Sequence, residues 1–458
     1  DLRLQKDMVY GGQASFNDGT VQIGEFQPMT IGMDANYELD GGLIDLSHID
    51  LTMDGLESIV TGSVDLLNWP EATYEIVEST IDLPTMKDVF FAEDDFLVTG
   101  DATFAGLWHI FDGGRELSGT FKSADAAIQE LPFPALNGDL VWTRDRFEIL
   151  QAESRFFDGE IDFNYAMKPL GSVSSAVATF DVQYTEVDLG LLFEALAVSG
   201  ARPDGKAGGN VLLNWSIGQF ENRYGDGKLL VNPPAGIQLQ SRNRSEEGKR
   251  EQWAYAEEPI GTISPWHFPM GAEFDFVFDP SLLAFESSWI STPLTLVEFD
   301  GQTSWGTDSQ IPFHVVSANW QESDRLMASV MTAFGRSTGE ISVSGHGEMT
   351  GVMFGDFFSP RIEAHFEGDG IRAWNVDWDH GKGDIVVQGS YLQVSDGLFG
   401  DGTSELEIDG QFAIGSPAED GDEINARFGL TEFPAQRLRD AFSLEGYSID
   451  GLVEGDIH

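Results

Sequence analysis

The chain has 458 residues, 41% of them hydrophobic and none of them cysteine, and it carries a formal net charge of −52. So many carboxylates repel phosphate backbones and anionic membranes, which argues against nucleic acid as a partner, and the lack of cysteine excludes disulfides and thiol chemistry. No apolar run approaches the roughly 18 residues of a membrane helix, so the composition indicates a large protein with a solvated acidic surface.

A short pattern recurs along the chain: an apolar residue, a polar residue, glycine, any residue and a second apolar residue. Its glycines are Gly41, Gly62, Gly100, Gly119, Gly138, Gly159, Gly389, Gly410 and Gly451. Most steps between them are close to 20 residues or to twice that value, and such spacing is typical of a repeat fold. Two strands of about eight residues and two tight turns fit this length, so we expect an antiparallel meander with a period of about 20.

Side-chain alternation within the repeats predicts a sheet with two different faces. Around Gly159, Ile161 and Phe163 fall on one side, whereas Glu160 and Asp162 fall on the other. A glycine repeated on the apolar side would let the sheet curl with that side inward. The predicted fold is therefore all-β: an elongated, curved, mainly antiparallel sheet in the form of a half-pipe, with a few short helices.

Four segments interrupt the strand pattern and are predicted to be short helices that cap the sheet, at residues 84–91, 188–196, 323–334 and 434–442. Residues 241–260 are highly charged and are predicted to form a loop or linker. This gives a first β-repeat segment at 1–240 and a second at 261–458, continuous with the first. Both ends of the chain fall within a repeat, so we expect an internal fragment of a longer protein.

Several motifs bear a superficial likeness to functional sites. Residues 200–207 nearly match a phosphate-binding loop, but Ala207 replaces the required hydroxyl and a strand pattern follows. His109, Asp112 and Glu116 are interpreted as residues of a turn packed on the sheet. The sequence therefore predicts no catalytic residue, no cofactor and no enzymatic activity.

Acidic loops were considered as calcium sites, the alternative explanation of the charge. Asp377, Asp379 and Asp384 lack the EF-hand ligand order, and a solvated hairpin turn is the favoured interpretation. The loop at 419–423 is interpreted in the same way. No metal ligands are predicted.

The recurring unit, a strand with a central glycine, a turn, a returning strand and an occasional short helix, resembles the AsmA/TamB-like proteins of bacterial envelopes. The best stretch runs from Val60 to Phe121, and residues 193–231, 331–371 and 433–458 are similar. The resemblance implies a periplasmic half-pipe, anchored in the inner membrane by a helix outside this chain. Such a protein would carry phospholipids between the inner and outer membranes or assist outer-membrane biogenesis. Its inner- and outer-membrane protein partners would bind parts of the protein that lie outside this chain.

The apolar side of the repeats is predicted to form a groove that holds phospholipid acyl chains, because each CH₂ removed from water gains about 0.8 kcal/mol. The predicted groove residues are Val60, Val64, Leu66, Val98, Phe104, Phe121, Leu140, Trp142, Phe157, Ile161, Phe163, Tyr165, Phe180, Val182, Tyr184 and Phe412. The main alternative is a structural or adhesive β-solenoid of a large surface protein. A carbohydrate-active enzyme that uses some of the 11 tryptophans is a third hypothesis.

Overall fold

A computed structural model describes residues 9–22, 27–90, 92, 96–170, 176–198, 200–241, 266–333, 343–357, 359–373, 376–389, 391–413, 424–441, 448 and 450–457. The chain divides into two compact units, and each is treated by itself. Unit 1 comprises residues 1–187 and 208–227, and unit 2 comprises residues 188–207 and 228–458. The predicted linker at 241–260 lies outside the described residues apart from Ser241.

Strands account for most of the described chain. The first part contains β1 (Tyr10–Val21), β2 (Met29–Asp40), β3 (Leu43–Met53), β4 (Leu56–Asp65), β5 (Ala72–Asp82), β6 (Val98–Thr99), β7 (Asp101–Phe111), β8 (Gly114–Ile128), β9 (Leu131–Thr143), β10 (Phe147–Phe156), β11 (Gly159–Lys168), β12 (Val177–Asp188), β13 (Ala201–Asp204), β14 (Lys206–Ser216) and β15 (Gln219–Asn232). The rest contains β16 (Trp266–Pro269), β17 (Gly271–Phe278), β18 (Leu283–Ser291), β19 (Thr295–Thr303), β20 (Ser309–Ser317), β21 (Ser344–Asp356), β22 (Ser359–Ala373), β23 (Val376–Gln388), β24 (Tyr391–Asp401), β25 (Ser404–Ala413), β26 (Ile424–Pro434) and β27 (Leu452–Ile457).

The described residues form four short helices, α1 (Leu83–Phe90), α2 (Leu189–Ala195), α3 (Trp320–Ala333) and α4 (Ala435–Ala441). Each falls on one of the four segments predicted from the sequence, so those predictions are confirmed. The side chain of Asp82 accepts the backbone N–H of Thr85 at 2.9 Å and so caps the start of α1. Asp188 does the same for Leu191 at the start of α2.

Successive strands of unit 1 pair antiparallel from β1 to β5, β5 pairs with β7, and the meander continues to β12. In unit 2 the same pattern runs from β17 to β27, and a separate parallel pair joins β13 and β16. Among the described strands, β1 pairs only with β2 and β27 only with β26, so neither unit closes into a barrel. The predicted class, a curved and mainly antiparallel all-β sheet with a few short helices, is confirmed.

The strands are longer than the glycine spacing suggested. β3 begins at Leu43 and β5 at Ala72, so one two-strand repeat takes 29 residues (43 to 72). The motif glycines do not mark one structural position: Gly41 and Gly389 lie in turns with φ of 57° and 61°, whereas Gly62 lies inside β4. The 21-residue step from Gly41 to Gly62 therefore leads from a turn to the middle of a strand, and not from one repeat to the same position in the next.

The acidic turn predicted around Asp377, Asp379 and Asp384 was wrong, because these residues lie within the continuous strand β23. Gly381 and Gly383 are buried in that strand, and an added Cβ at Gly381 would meet the ring of a neighbouring aromatic side chain at 2.6 Å. The glycines make room for rings above the sheet and do not form a turn. The loop at 419–423 lies outside the described residues.

Unit 2 has a dry core over β22 to β26. Its buried members are Ile371, Val376, Trp378, Val394, Phe399, Leu406, Ile408, Phe412, Leu430 and Phe433. The guanidinium of Arg437 on α4 lies 5.6 Å from the centre of the Trp378 ring and forms an ion pair with Asp401. Helix α4 therefore covers one side of this core.

Candidate functional site

The register of unit 1 arranges its inward side chains in continuous rows, and we call the surface that they form the inner face. One row runs across eleven strands and contains Ala14, Ala35, Ile49, Val60, Ile76, Gly106, Gly119, Leu140, Ile149, Tyr165 and Phe180. A neighbouring row contains Tyr37, Leu46, Gly62, Tyr74, Trp108, Leu117, Trp142, Phe147 and Met167. Both rows consist almost entirely of apolar residues, although they come from separate segments of sequence.

The predicted groove residues mostly lie together on this face. Twelve of them share it: Val60, Val64, Phe104, Phe121, Leu140, Trp142, Ile161, Phe163, Tyr165, Phe180, Val182 and Tyr184. Val98 lies in β6 opposite Ile128, and Phe157 lies in the turn between β10 and β11. Leu66 follows the end of β4 and is exposed, and Phe412 belongs to the core of unit 2.

The predicted residues differ in how accessible they are. Val60, Val64, Phe104, Phe121, Ile161 and Val182 are buried, whereas Leu140, Trp142, Phe163, Tyr165, Phe180 and Tyr184 are only half-buried. Phe412 is buried against its neighbours in unit 2. The buried set stabilises the sheet, and the half-buried set is the part of the face that a ligand could contact.

Sequence analysis missed several aromatic residues that extend the accessible part of the inner face. Tyr74 lies 5.4 Å from Trp108 between ring centres, and Tyr165 lies 6.0 Å from Trp215. Phe147 joins Trp142 to Tyr165 through ring contacts at 6.3 and 6.2 Å. Tyr74, Phe147 and Trp215 stand in strands without a motif glycine, so strand parity outside the repeat motif was the signal that could have found them.

Trp108 shows that this face remains partly open to water. Its side chain is 38% exposed although it lies in the middle of an apolar row. Its chain neighbour Leu107 is 43% exposed but points to the opposite side of the sheet, the outer face, between Glu75 and Ser118 on the adjacent strands. Trp108 and Leu107 are thus adjacent apolar residues of similar exposure, one on the inner face and the other on the outer face.

Helix α1 lies against the inner face. The backbone N–H of Gln27, near the start of β2, donates to the carbonyl oxygen of Val89 at 3.2 Å. The next residue, Phe90, meets the ring of Trp142 on β9 edge to face at 5.7 Å. Five strands separate β2 from β9 in the pairing order, so the sheet of unit 1 must curve for one helix turn to contact both.

Glycines under aromatic rings contribute to this curvature. A Cβ added at Gly106 or Gly119 would lie 2.8 or 2.7 Å from Cζ of Phe104, and one at Gly138 would lie 3.0 Å from the ring of Phe121. The Phe104 ring therefore rests on bare backbone of its own strand at Gly106 and of β8 at Gly119, and the Phe121 ring on that of β9 at Gly138. Register shifts such as that between Ile149 and Ala152 bend the strands further.

The outer face is acidic. Glu153 lies opposite Asp162, which lies opposite Gln183, and all three are exposed. His109 contacts Glu71 at 2.7 Å. Asp112 lies in the turn between β7 and β8, but His109 and Glu116 lie opposite each other within these two strands, so the prediction that they belong to a turn was wrong for both. No group of three or more potential ligands from His, Asp and Glu is arranged to hold a metal ion within the described residues.

Burial on the inner face changes the ionisation of two phenols. Desolvation raises the pKa of Tyr184 to about 12 and raises the pKa of Tyr74 from its ordinary value of 10.0. The cause is the cost of placing a phenolate in apolar surroundings. Both pKa shifts follow from the partial burial of the phenols on the inner face.

No family model, curated protein or solved structure is similar to this chain. Over the described part of the chain, no helix combines the length and the apolar character that crossing a membrane requires.

Proposed function

We propose that the inner face of unit 1 binds the acyl chains of phospholipids and that the protein is a non-catalytic scaffold for lipid transport. The supporting observation is the half-exposed aromatic tract around Trp108, Trp142 and Tyr165. A monomer rarely leaves a large contiguous apolar surface in contact with water without a ligand or partner. Each CH₂ group of an acyl chain that leaves water on this face gains about 0.8 kcal/mol.

The shape of the face favours a flexible apolar guest. Its rows cross up to eleven strands, and strands lie about 4.8 Å apart, so the rows are long enough for an extended chain. Aromatic rings with half-exposed faces offer apolar contact along the rows and few fixed hydrogen-bonding groups. The acidic outer face keeps such a protein soluble.

The resemblance to AsmA/TamB-like proteins supports the cellular part of the proposal. It implies an activity in the periplasm, between the inner and outer membranes, with membrane-protein partners bound by other parts of the protein. It also supports a role in outer-membrane biogenesis. These assignments rest on the resemblance, whereas acyl-chain binding rests on the geometry of unit 1.

Photo-crosslinking tests the proposal with a matched control. A photoreactive phenylalanine analogue replaces Trp108 on the inner face in one variant and Leu107 on the outer face in the other. After irradiation with radiolabelled phospholipid, we expect lipid adducts at position 108 and few at position 107. Equal labelling at both positions, or none at 108, would refute acyl-chain binding on the inner face.

The second candidate, a structural or adhesive role, remains a prediction. A parallel β-solenoid would require parallel neighbours, but the long meanders of both units pair antiparallel. A purified chain that carries no lipid by mass spectrometry would favour this candidate.

A further inference from the structure

One end of unit 1 presents an apolar patch to water. It lies on the turn between β4 and β5 and on the adjacent start of β3, and it consists of Leu43, Leu66, Leu67 and Trp69, which we call the Leu67 patch. Leu67 is 78% exposed and Trp69 is 70% exposed. Isolated exposed apolar residues are common, but these four lie at two hairpin ends that are joined by a backbone hydrogen bond.

The two turns are in direct contact. The backbone N–H of Leu66 donates to the carbonyl oxygen of Gly42 at 2.9 Å. The side chain of Leu67 lies against Gly42, where an added Cβ would meet it at 2.9 Å. Leu43, the next residue, is 50% exposed and lies opposite Asp65, the residue before Leu66.

A carboxylate holds the turn in place. Asp65 Oδ1 accepts the backbone N–H groups of Leu67 at 2.8 Å and of Asn68 at 3.1 Å, and Oδ2 accepts the side-chain amide of Asn68 at 2.7 Å. The hydrogen bonds from Asn68 and Leu67 lower the pKa of Asp65, so the carboxylate that makes them stays ionised. The two apolar side chains are thus held outward by a defined turn.

The neighbouring turns at the same end carry charges of both signs. Asp112 lies in the turn between β7 and β8 and Arg115 near the start of β8, Arg144 and Asp145 lie in the turn between β9 and β10, and all four are exposed. Asp40, Asp65 and Glu71 on the hairpins of the patch itself add three carboxylates, so this end mixes charges of both signs. A zwitterionic lipid headgroup layer, which also carries paired positive and negative groups, matches this mixture of charges.

We propose that the Leu67 patch docks unit 1 onto a zwitterionic phospholipid surface, with Leu67 and Trp69 inserted at the interface between headgroups and acyl chains. Tryptophan is enriched at this depth of a bilayer because its ring is apolar and its N–H is polar. A stable protein–protein interface buries about 800 Å² and roughly 20–30 residues on each partner, whereas the patch has four residues, so a lipid layer fits it better. The proposal does not require the inner face to bind lipid.

Flotation with vesicles of phosphatidylcholine tests the docking. The full chain is expected to float, and the double variant Leu67→Ser/Trp69→Ser is expected to bind at least about tenfold more weakly, because each large side chain contributes more than one decade of partitioning. Leu97→Ser is the matched control, since Leu97 is 59% exposed at the other end of the strands, next to Gln129. Circular dichroism establishes that all the variants are folded.

Three outcomes would overturn the proposal. In the first, the wild-type chain does not float with the vesicles. In the second, the double variant floats like the wild type, and in the third, the control variant Leu97→Ser loses binding as much as the double variant does. Self-association through the patch without flotation would assign it to a protein contact instead. Crosslinking at position 108 with lipid supplied in detergent micelles measures acyl-chain binding without a membrane surface. This experiment therefore distinguishes a failure of docking from a failure of acyl-chain binding. A double variant that crosslinks normally but does not float has lost docking alone.

Discussion

The ring of Phe104 on β7 lies over Gly119 on β8, where an added Cβ would come within 2.7 Å of Cζ of the ring. The same Cβ would lie 2.3 Å from the carbonyl oxygen of Ala105 and 2.6 Å from Cα of Gly106. Two of these three contacts are with backbone, which cannot move without disturbing the ladder between the strands. Gly119 is thus required by a close approach within the sheet.

The first prediction follows from this packing. Gly119→Ala should lower the free energy of unfolding by about 1–3 kcal/mol, the usual cost of forcing extra volume into a packed site. Gly11→Ala is the control, because its nearest neighbour, the carbonyl oxygen of Tyr37, would lie at 3.7 Å, an ordinary contact. Thermal unfolding followed by circular dichroism compares the two. Equal midpoints for both variants would mean that the ring does not require glycine at position 119.

The second prediction concerns the core of unit 2. Ile408 is 0% exposed within this core, so Ile408→Ala should cost about 2–5 kcal/mol through lost burial and the resulting cavity. Ile424 on the neighbouring strand is 57% exposed, and Ile424→Ala should change stability by no more than about 0.5 kcal/mol. Urea denaturation measures both. A small effect at position 408 would show that the core is loosely packed.

The third prediction concerns the ion pair that holds α4. The side chains of Asp401 and Arg437 are 30% and 24% exposed, so Asp401→Asn should destabilise unit 2 by about 1–3 kcal/mol because a desolvated guanidinium loses its partner. The exposed pair of Arg427 with Asp456 at 3.1 Å provides the control. Asp456→Asn should cost less than about 1 kcal/mol. Similar losses in the two variants would indicate that burial adds nothing to the first pair.

The fourth prediction is a dependence of stability on pH that originates at Tyr184. Burial raises the pKa of its phenol to about 12 from 10.0, so the folded state holds the proton more tightly than the unfolded state. The associated stability is fully present below pH 10 and is lost as the pH rises from 10 to about 12. Tyr184→Phe removes this titration, and its stability should fall less than that of the wild type over this interval. Ultraviolet absorbance of phenolate, measured with chemical denaturation, tests the assignment.

The sequence was sufficient for the fold class and for much of the inner face. Alternation around Gly159 placed Ile161 and Phe163 together, and the register of β11 and β12 confirms that they share a face. Local periodicity carries this information because successive side chains of a strand point to opposite sides. The same local signals located all four short helices.

The sequence was not sufficient for the repeat length or for accessibility. Gly41 lies in a turn and Gly62 lies within a strand, but both match the same sequence motif. The spacing between motif glycines therefore did not give the length of a two-strand repeat. Likewise, Phe412 and Phe163 have similar sequence surroundings, but the first is buried in unit 2 and the second is half-buried in unit 1.

Composition and alternation by themselves determined that this chain forms sheets with an apolar side and an acidic side. Only the tertiary structure decided where the apolar side stays open, because exposure depends on which helix or strand covers a residue and not on the residue's neighbours in sequence. Trp108 remains partly exposed on the inner face of unit 1, whereas Trp378 lies beneath α4 in the core of unit 2.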